Sequence, residues 1–471
     1  MAKITIDPIT RISGLLEIEV NIENNKIIEA NSSGMQFRGF EKMFQGRAPL
    51  DMIRLTCRTC GICSCHHATA SSKALEEALK VTPDPNGELI RELTNGFEYL
   101  QNHLRQIYQF VFPDYVDLSS ISDLHKPINK SNVDYRLPDN INDTIVNHYL
   151  ESIQNSRNAH KAEAILAGKA PHNHGVFVGG TTTYLDIQKY QEVKAILYNI
   201  KKFITDCLIP DINAIANYYE EYFYMGKGYG NLMCTKLFYN KNIPIKYVKG
   251  GVFINNQLEE FLIKNVVEEY RHTWLTTHNN MAIPIQNPPE IDTDKEDAYS
   301  WVAAARYKGF AMEVGPLARM TIGGYYDHGI SAMDRIIARV LESEKICQCM
   351  ESLLDYIKLQ PAYQSQYDIP KEAKGVGVME ASRGTLLHFI EIENSVVKNY
   401  NLIPPSVWNF SPKDNNNVRG PVEEALVGTQ INDINKAPTI IGRIVRSFDP
   451  CLNCAAHVTS DKYSPFTINI V

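Results

Sequence analysis

Residues 58–67 read RTCGICSCHH and residues 449–457 read DPCLNCAAH, and these two stretches near opposite ends of the chain decide its fold. Each stretch contains a Cys-x-x-Cys pair, which places two thiolates within reach of one metal ion. The two pairs are Cys60 with Cys63 and Cys451 with Cys454. Together they can supply four sulfur ligands, so we expect the chain to close on itself around one buried site.

The cysteine spacing alone leaves three kinds of site open. A structural zinc site fits the two pairs, although the pairs of a zinc site usually lie closer together in sequence. A site built from both ends of a long chain is more typical of a catalytic metal centre, because the whole body closes over it. A thioredoxin-like exchange motif is the weakest interpretation, since nothing around either pair resembles a βαβ unit. In the first pair, Gly61 would let the backbone turn tightly around an ion.

The composition excludes some functions. The chain has 471 residues, of which 44% are hydrophobic and 21% charged, and its formal net charge is −7. A negative chain attracts phosphate poorly, so we expect no nucleic-acid partner. The sequence opens without a signal-peptide pattern, and no apolar run is long enough to span a membrane. We therefore expect a cytoplasmic chain that is exported or membrane-associated only through a partner subunit.

Hydrophobic periodicity predicts a mainly α fold with small β elements (α+β). Residues 16–22 alternate between apolar and polar, and Asn24-Asn25 follow, which indicates an N-terminal hairpin. A second β region is predicted at 376–396. Apolar stripes at three- and four-residue steps predict helices over 89–107, 143–167, 186–224, 257–275 and 331–358.

The cysteine stretches resemble the two metal-binding motifs of the [NiFe]-hydrogenase large subunit, Arg-x-Cys-Gly-x-Cys-x-x-x-His and Asp-Pro-Cys-x-x-Cys-x-x-His. Further segments that look like this family occur in the same order at 7–12, 37–41, 168–172, 307–309, 312–319, 380–384, 408–409 and 447–448. The resemblance spans the chain. It implies the fold of that large subunit and its activity, the reversible heterolytic cleavage of H2 into protons and electrons.

By this resemblance, all four cysteines hold a nickel ion. Cys63 and Cys454 would also bridge to an iron that carries carbon monoxide and cyanide ligands, since soft thiolates suit both metals. His67 would donate a hydrogen bond toward a bridging thiolate and tune the metal, unless it is a core histidine satisfied elsewhere. Cys57 and Cys65 are extra thiols that we expect to be inert core cysteines, and the alternative for Cys65 is a role in the response to oxygen.

Arg383 resembles the arginine that the family projects over the open side of the nickel. A fixed cation there could polarise bound hydrogen, or accept a proton if its pKa were strongly perturbed. Asp449 is expected to pair with Arg383 and so offset the cost of burying that charge. The alternative is a purely structural ion pair.

Glu41, the backbone carbonyl of Leu402 and His457 resemble the ligands of a magnesium-type ion beside the family's active site. Oxygen donors suit such a hard cation, and water would complete the shell. The alternative for Glu41 is an ordinary solvated carboxylate.

One segment departs from the family pattern. The family usually reads Arg-Ile-Glu-Gly near the N-terminus, where the glutamate relays protons, but this chain has Ser13 at that position. A serine hydroxyl can pass a proton only within a hydrogen-bonded chain. The resemblance also implies one domain over residues 1–457, followed by an extension, 458–471, which a maturation protease removes.

The resemblance implies partners as well. A buried nickel site needs an iron–sulfur small subunit to carry electrons away, and we expect a dimer of such heterodimers, with H2 and protons as substrates. A regulatory hydrogen sensor with the same site is the alternative function. A non-enzymatic relative from respiratory complexes would lack the cysteines, and all four are present.

Overall fold

A computed structural model describes residues 2–122, 125–126, 132–240, 243–277, 281–282 and 288–455. The helices are α1 (Phe40–Phe44), α2 (Met52–Thr56), α3 (Ser64–Leu79), α4 (Pro85–Arg105), α5 (Asp139–Ala167), α6 (Ile187–Phe203), α7 (Ile209–Tyr218), α8 (Pro316–Ile322), α9 (Ala332–Leu354), α10 (Pro405–Asn409), α11 (Pro421–Leu426), α12 (Ala437–Ser447) and α13 (Leu452–Ala455).

The strands are β1 (Ala2–Ile6), β2 (Leu16–Glu23), β3 (Lys26–Gly34), β4 (Val176–Phe177), β5 (Gly180–Thr181), β6 (Leu232–Cys234), β7 (Leu237–Tyr239), β8 (Lys246–Val248), β9 (Gly251–Ile254), β10 (Gln257–Glu259), β11 (Val266–Glu269), β12 (Leu275–Thr276), β13 (Met281–Ala282), β14 (Glu290–Ile291), β15 (Ala304–Tyr307), β16 (Glu313–Val314), β17 (Ala362–Tyr363), β18 (Glu372–Ala381), β19 (Gly384–Glu393) and β20 (Val396–Ile403). Together with the helices they form an α+β fold.

A helical body built on α4, α5, α6 and α9 confirms four of the predicted helices. Helix α4 begins at Pro85, and the Asp84 carboxylate accepts a hydrogen bond from the backbone N–H of Gly87 at 3.0 Å. Leu93 and Phe97 of its apolar stripe are fully buried. Each such side chain contributes roughly 1.5–3 kcal/mol of burial free energy. The predicted helix at 186–224 is interrupted by a π-helical turn between α6 and α7.

The N-terminal hairpin is confirmed, and a third strand extends it. Strands β2 and β3 pair in antiparallel fashion, and β1 adds to the free edge of β2. The connecting residues Asn24 and Asn25 have φ values of 49° and 61°. Asparagine tolerates this left-handed conformation better than most residues, which suits it to a tight hairpin turn.

The C-terminal sheet β18-β19-β20 is also confirmed, and helix α3 packs directly on it. Gly375 and Gly377 of β18 permit the contact. A Cβ on Gly375 would lie 2.0 Å from the carbonyl oxygen of Ala74, and one on Gly377 would lie 1.9 Å from that of Ala70. The missing side chains let the helix approach the sheet and carry the first cysteine pair toward the second.

The predicted helix at 257–275 is wrong. This segment contains β10 and β11 and reaches the start of β12, and β11 forms an antiparallel ladder with β15. Leu258 and Leu262, which helical packing would bury, are 59% and 43% exposed. Cross-strand pairing of the β-branched residues Val266 and Val267 overrides the helix-like spacing. The remaining short strands of the middle third were not predicted either.

Across the described ranges, no helix is both long and apolar enough to cross a membrane. His457 and the extension 458–471 lie outside the described residues.

Replacing Gly377 with alanine should lower the free energy of unfolding. The new methyl group would collide with the backbone of α3, and overpacking of this kind costs about 1–3 kcal/mol. Chemical denaturation measures the loss. Gly228→Ala is the matched control, because a Cβ there meets nothing closer than the Glu313 carboxylate at 3.4 Å. Equal destabilisation by the two substitutions would contradict the packing argument.

Candidate metal centre

The first cysteine pair is positioned by the turn that leads into α3. Cys60 has extended backbone after a 3-10 turn, and Cys63 immediately precedes the helix. The first turn of α3 is held by Glu98 of α4. Its carboxylate accepts hydrogen bonds from the backbone N–H groups of Cys65 at 2.8 Å and His66 at 2.9 Å. A carboxylate at a helix N-terminus satisfies unpaired N–H groups and complements the helix dipole.

The second pair is held against the N-terminal segment. Ser13 and Cys451 form a parallel β-bridge. The N–H of Leu452 donates to the Ser13 carbonyl at 2.7 Å, and the N–H of Ser13 donates to the Pro450 carbonyl at 3.3 Å. Arg38 ties the two pairs together, because its guanidinium donates to the carbonyl oxygens of both Thr59 and Asn453.

The four predicted ligand sulfurs meet at one point. All four ligand atoms lie within 4.8 Å of one another, and every one of the four residues is at most 5% exposed. The Sγ atoms of Cys60 and Cys451 are 3.4 Å apart, those of Cys63 and Cys454 are 3.2 Å apart, and those of Cys451 and Cys454 are 3.0 Å apart. The thiols are free rather than joined in disulfides. Four buried sulfurs at this spacing fit a soft transition metal.

The charge at the site favours a thiolate on Cys451. Burial opposes ionisation, but hydrogen bonds from the neighbouring thiols and the positive charge of Arg383 hold the pKa of Cys451 well below its usual value. Burial raises the pKa of Cys63 and of Cys454 well above the usual range, and the neighbouring thiols contribute. A bound cation would favour ionisation of all four.

Arg383 and Asp449 form the predicted ion pair, with Nε of Arg383 2.9 Å from Oδ1 of Asp449. Burial disfavours the guanidinium charge, yet Asp449 and the cysteine sulfurs together raise the pKa of Arg383. The arginine is therefore a fixed cation and is poorly suited to accept protons. Within the described part of the chain, its Nη1 and Nη2 atoms have no hydrogen-bond partner. Arg383 lines a small cavity together with Cys63, Cys451 and Cys454.

A buried network that the sequence did not reveal supports this pair. Oδ2 of Asp449 accepts hydrogen bonds from Arg339 at 3.0 Å and from Asn102 at 2.8 Å. Arg339 contacts Nδ1 of His103 at 3.2 Å, and Nε2 of His103 lies 2.9 Å from Glu342. Arg319 then binds Glu342 through two hydrogen bonds of 2.6 and 2.7 Å, and it also binds Glu380. Of the residues behind the ion pair, only Arg319 and Glu380 fall in segments that the family resemblance had marked.

His66 and His67 both line the cavity, and His66 also has protein partners at both ring nitrogens. The backbone N–H of Ser382 donates to Nε2 of His66 at 3.1 Å, and Nδ1 of His66 lies 2.9 Å from Asn95. His67 lines the same cavity as Cys63, Cys451 and Cys454, and burial lowers its pKa to about 3. It is therefore a neutral ring, and its Nδ1 contacts Nε2 of His388 at 3.0 Å.

The extra thiols belong to the core. Cys57 and Cys65 are at most 1% exposed and pack among hydrophobic residues. Burial raises the pKa of Cys57 to about 12 and raises that of Cys65 well above its usual value. Both therefore stay protonated, as expected for inert cysteines.

Glu41 lies in α1 and Leu402 in β20. Desolvation of the carboxylate raises the pKa of Glu41 to about 8, and the nearby Glu268 carboxylate adds to the effect. Burial likewise raises the pKa of Glu268 to about 7. In the described ranges Glu41 forms no ion pair, so Glu41 and Glu268 are two carboxylates that a cation would stabilise. Sequence reasoning missed Glu268. This residue lies in the segment 257–275, which was wrongly predicted to be a helix, and no motif marks it.

Comparison with known proteins identifies the family. The profile of the nickel-dependent hydrogenases matches residues 38–132 and 128–457. The chain belongs to the nickel-dependent hydrogenase family. The periplasmic [NiFeSe] hydrogenase large subunit of Desulfomicrobium baculatum is 34% identical over 97% of this chain and 95% of its own length. The hydrogenase-2 large chain of Escherichia coli K12 is 28% identical over 97% of each chain.

Solved structures agree with this assignment. A reduced, active form of the Ni-Fe-Se hydrogenase from Desulfomicrobium baculatum is similar over 97% of this chain and 100% of that chain, with a TM-score of 0.93 at 33% identity. The reduced Ni-Fe-Se hydrogenase from Desulfovibrio vulgaris Hildenborough is similar over 97% of this chain and 100% of that chain, with a TM-score of 0.90 at 32% identity. This hydrogenase chain is thus a catalytic large subunit and an oxidoreductase, and the regulatory alternative is not favoured.

Replacing Cys60 with alanine should abolish nickel retention, because three sulfurs cannot complete a four-sulfur site. Elemental analysis of the purified chain measures the loss. Cys57→Ala is the matched control, since Cys57 is equally buried and three residues away but lies outside the sulfur cluster. If Cys60→Ala retained nickel at the level of Cys57→Ala, Cys60 would not be a ligand.

Proposed function

We propose that all four sulfurs hold nickel and that Cys63 and Cys454 also bridge to an iron carrying carbon monoxide and cyanide. The observation that carries this proposal is the convergence of four buried sulfurs with unpartnered donors in one cavity. Nη1 and Nη2 of Arg383 and the hydroxyl of Ser382 are buried polar groups without partners among the described residues. Such groups are costly unless a bound group accepts their hydrogen bonds, and cyanide nitrogens are suitable acceptors.

The residues around the site have separate tasks in the reversible cleavage of H2. When bound, the metal centre supplies the Lewis acidity that splits H2 heterolytically. Arg383 presents a permanent positive charge to the cavity, and Asp449 fixes its orientation through Nε. His67 contributes a neutral N–H donor for a cysteine sulfur, which tunes the electron donation of that sulfur.

A magnesium-type ion is the third metal in this proposal, with Glu41, the carbonyl of Leu402 and His457 as ligands. The raised pKa values of Glu41 and Glu268 support it, because a divalent cation would relieve the cost of two neighbouring carboxylates. We propose that Glu268 accepts hydrogen bonds from the water molecules bound to this ion and does not bind the ion directly. This role agrees with its hydrogen bonds from Tyr270 and Asn401.

We infer that an iron–sulfur small subunit carries electrons to and from this chain, whose substrates are H2 and protons. We also infer that two such heterodimers associate. The named relatives are large subunits and large chains, which supports a smaller partner. Among the described residues one cluster of metal-binding cysteines is found, and it is buried, so electrons need another carrier to reach the surface.

The extension 458–471 is proposed to be removed by a maturation protease once nickel is bound, which leaves a single domain over 1–457. The family match ends at residue 457, in agreement with this boundary. For location, we propose the cytoplasm or export and membrane association through the partner subunit. The periplasmic name of one relative is consistent with the second of these.

Elemental analysis and infrared spectroscopy of active protein test the proposed metal centre. We expect nickel and iron in equal amounts, with carbonyl and cyanide stretching bands in the infrared spectrum. Active protein that contains zinc alone, or that lacks these bands, would overturn the assignment. A structural zinc protein would show neither the bands nor any hydrogen activity.

Ser13 is proposed to pass protons through its hydroxyl and water. It stands where the family usually has a glutamate, and it bridges Cys451, so it lies beside the second cysteine pair. Its Oγ accepts a hydrogen bond from Nδ2 of Asn453 at 2.9 Å, which leaves the hydroxyl proton available for donation. A hydroxyl that accepts and donates at once can serve as one link of a proton chain.

Replacing Ser13 with glutamate should accelerate exchange between H2 and deuterated water, because a carboxylate can take up a proton directly. Ser13→Gln is the matched control, with nearly the same shape and no titratable group. Ser13→Ala should slow turnover while the nickel content stays unchanged. If glutamate and glutamine behaved alike and alanine had no effect, protons would leave by another route.

A further inference from the structure

Three buried side chains form a hydrogen-bonded series that leads away from the cysteine cavity. Nδ1 of His67 lies 3.0 Å from Nε2 of His388, and Nδ1 of His388 lies 2.7 Å from the hydroxyl oxygen of Tyr400. All three residues are at most 1% exposed. None of the three residues belongs to the ion-pair network described above or to the proposed metal ligands.

The packing of α3 on the C-terminal sheet creates it. His67 lies on α3, His388 on β19 and Tyr400 on β20, and β19 and β20 are neighbours in one antiparallel sheet. His388 lies opposite Gly377, the glycine that allows α3 to approach. The same contact that delivers the first cysteine pair therefore also joins His67 to His388.

With a neutral His388 the series can run in only two directions, because a neutral imidazole donates from one ring nitrogen and accepts at the other. In the first direction, Tyr400 donates to Nδ1 of His388, and Nε2 of His388 donates to Nδ1 of His67. The proton of neutral His67 is then on Nε2. In the opposite direction, His67 donates from Nδ1 and keeps no proton on Nε2.

Both ends of the series favour the first direction. An imidazole nitrogen is a much stronger base than a phenol oxygen, so the Tyr400 hydroxyl donates rather than accepts. Burial raises the pKa of Tyr400, and the hydroxyl keeps its proton. At the other end, His67 lines the cavity of the cysteine sulfurs, which are hydrogen-bond acceptors when ionised.

We propose that Tyr400, acting through His388, fixes the proton of His67 on Nε2 and so directs an N–H donor at the cysteine sulfurs. Tyr400 and His388 are positioning residues, since neither lines the cavity. The inference rests on the proposed metal centre for its effect, although the placement of the proton does not depend on it. Hydrogen bonds in series strengthen one another, so removal of the tyrosine hydroxyl weakens the final N–H donor.

Infrared spectroscopy of the metal-loaded enzyme tests the effect. A sulfur that loses a hydrogen bond donates more electron density to iron, and the carbonyl band moves to lower frequency. We expect this downward shift in Tyr400→Phe and a shift at least as large in His388→Leu. Because Tyr400 acts only through His388, the double variant should match His388→Leu. An unshifted band in metal-loaded Tyr400→Phe, or additive shifts in the double variant, would overturn the proposal.

Tyr99→Phe is the matched control. Tyr99 is fully buried, and its hydroxyl has no hydrogen-bond partner in the described part of the chain. The substitution removes the same atom without removing a hydrogen bond, so the band should remain in place. Nickel content is measured for each variant, which separates loss of metal from a change in hydrogen bonding.

Nitrogen-15 NMR of the full chain with labelled histidine rings tests the proton placement directly. We expect His67 to carry its proton on Nε2, and a proton on Nδ1 would refute the proposal even in a chain without metal. A parent enzyme that lacks the carbonyl band would instead refute the metal centre and leave the NMR result to decide the tautomer. The two failures are therefore distinguishable.

Discussion

The constraint on which the structure depends is the burial of four cysteine sulfurs that come from opposite ends of the chain. Thiolates close to one another repel, and burial disfavours every charge among them, so the site is stable only if the surroundings supply compensation. The protein meets this requirement in two ways. The Ser13–Cys451 bridge and Arg38 hold the backbone of the two pairs in place. The charge of Arg383 stabilises the thiolate of Cys451.

Arg383 creates a second requirement, because a buried arginine is itself costly. The network behind the site compensates this charge, because it contains three guanidinium groups and three carboxylates, all at most 3% exposed. These groups are Arg383, Arg339, Arg319, Asp449, Glu342 and Glu380. Every member is fixed by at least one other, so the guanidinium that faces the cavity cannot relax away from it. This rigidity leaves Nη1 and Nη2 of Arg383 ready for a bound group and lowers the reorganisation that the reaction requires.

Sequence reasoning located what is local and missed what depends on distant pairing. The cysteines, Arg383 and Asp449 lie in short motifs, and the hairpin and long helices follow from periodicity, so all of these were predictable. Arg339 and His388 carry no motif of their own chemistry, and their roles arise only when α9 and β19 pack beside the site. The helix prediction for 257–275 was wrong for the same reason, because strand pairing with β15 decides the structure of that segment.

The bridge at Ser13 shows how one position can carry two separable tasks. Its backbone N–H and carbonyl hold Pro450 and Leu452, and this closure is independent of the side chain. Gly14 completes the fit, since a Cβ there would lie 2.6 Å from the nitrogen of Asn453. The segment can therefore exchange a carboxylate for a hydroxyl at position 13 without opening the metal site. Closure of the site depends on backbone atoms of Ser13, and the proton path proposed above depends on its side chain, so a change in that side chain leaves the four-sulfur geometry intact.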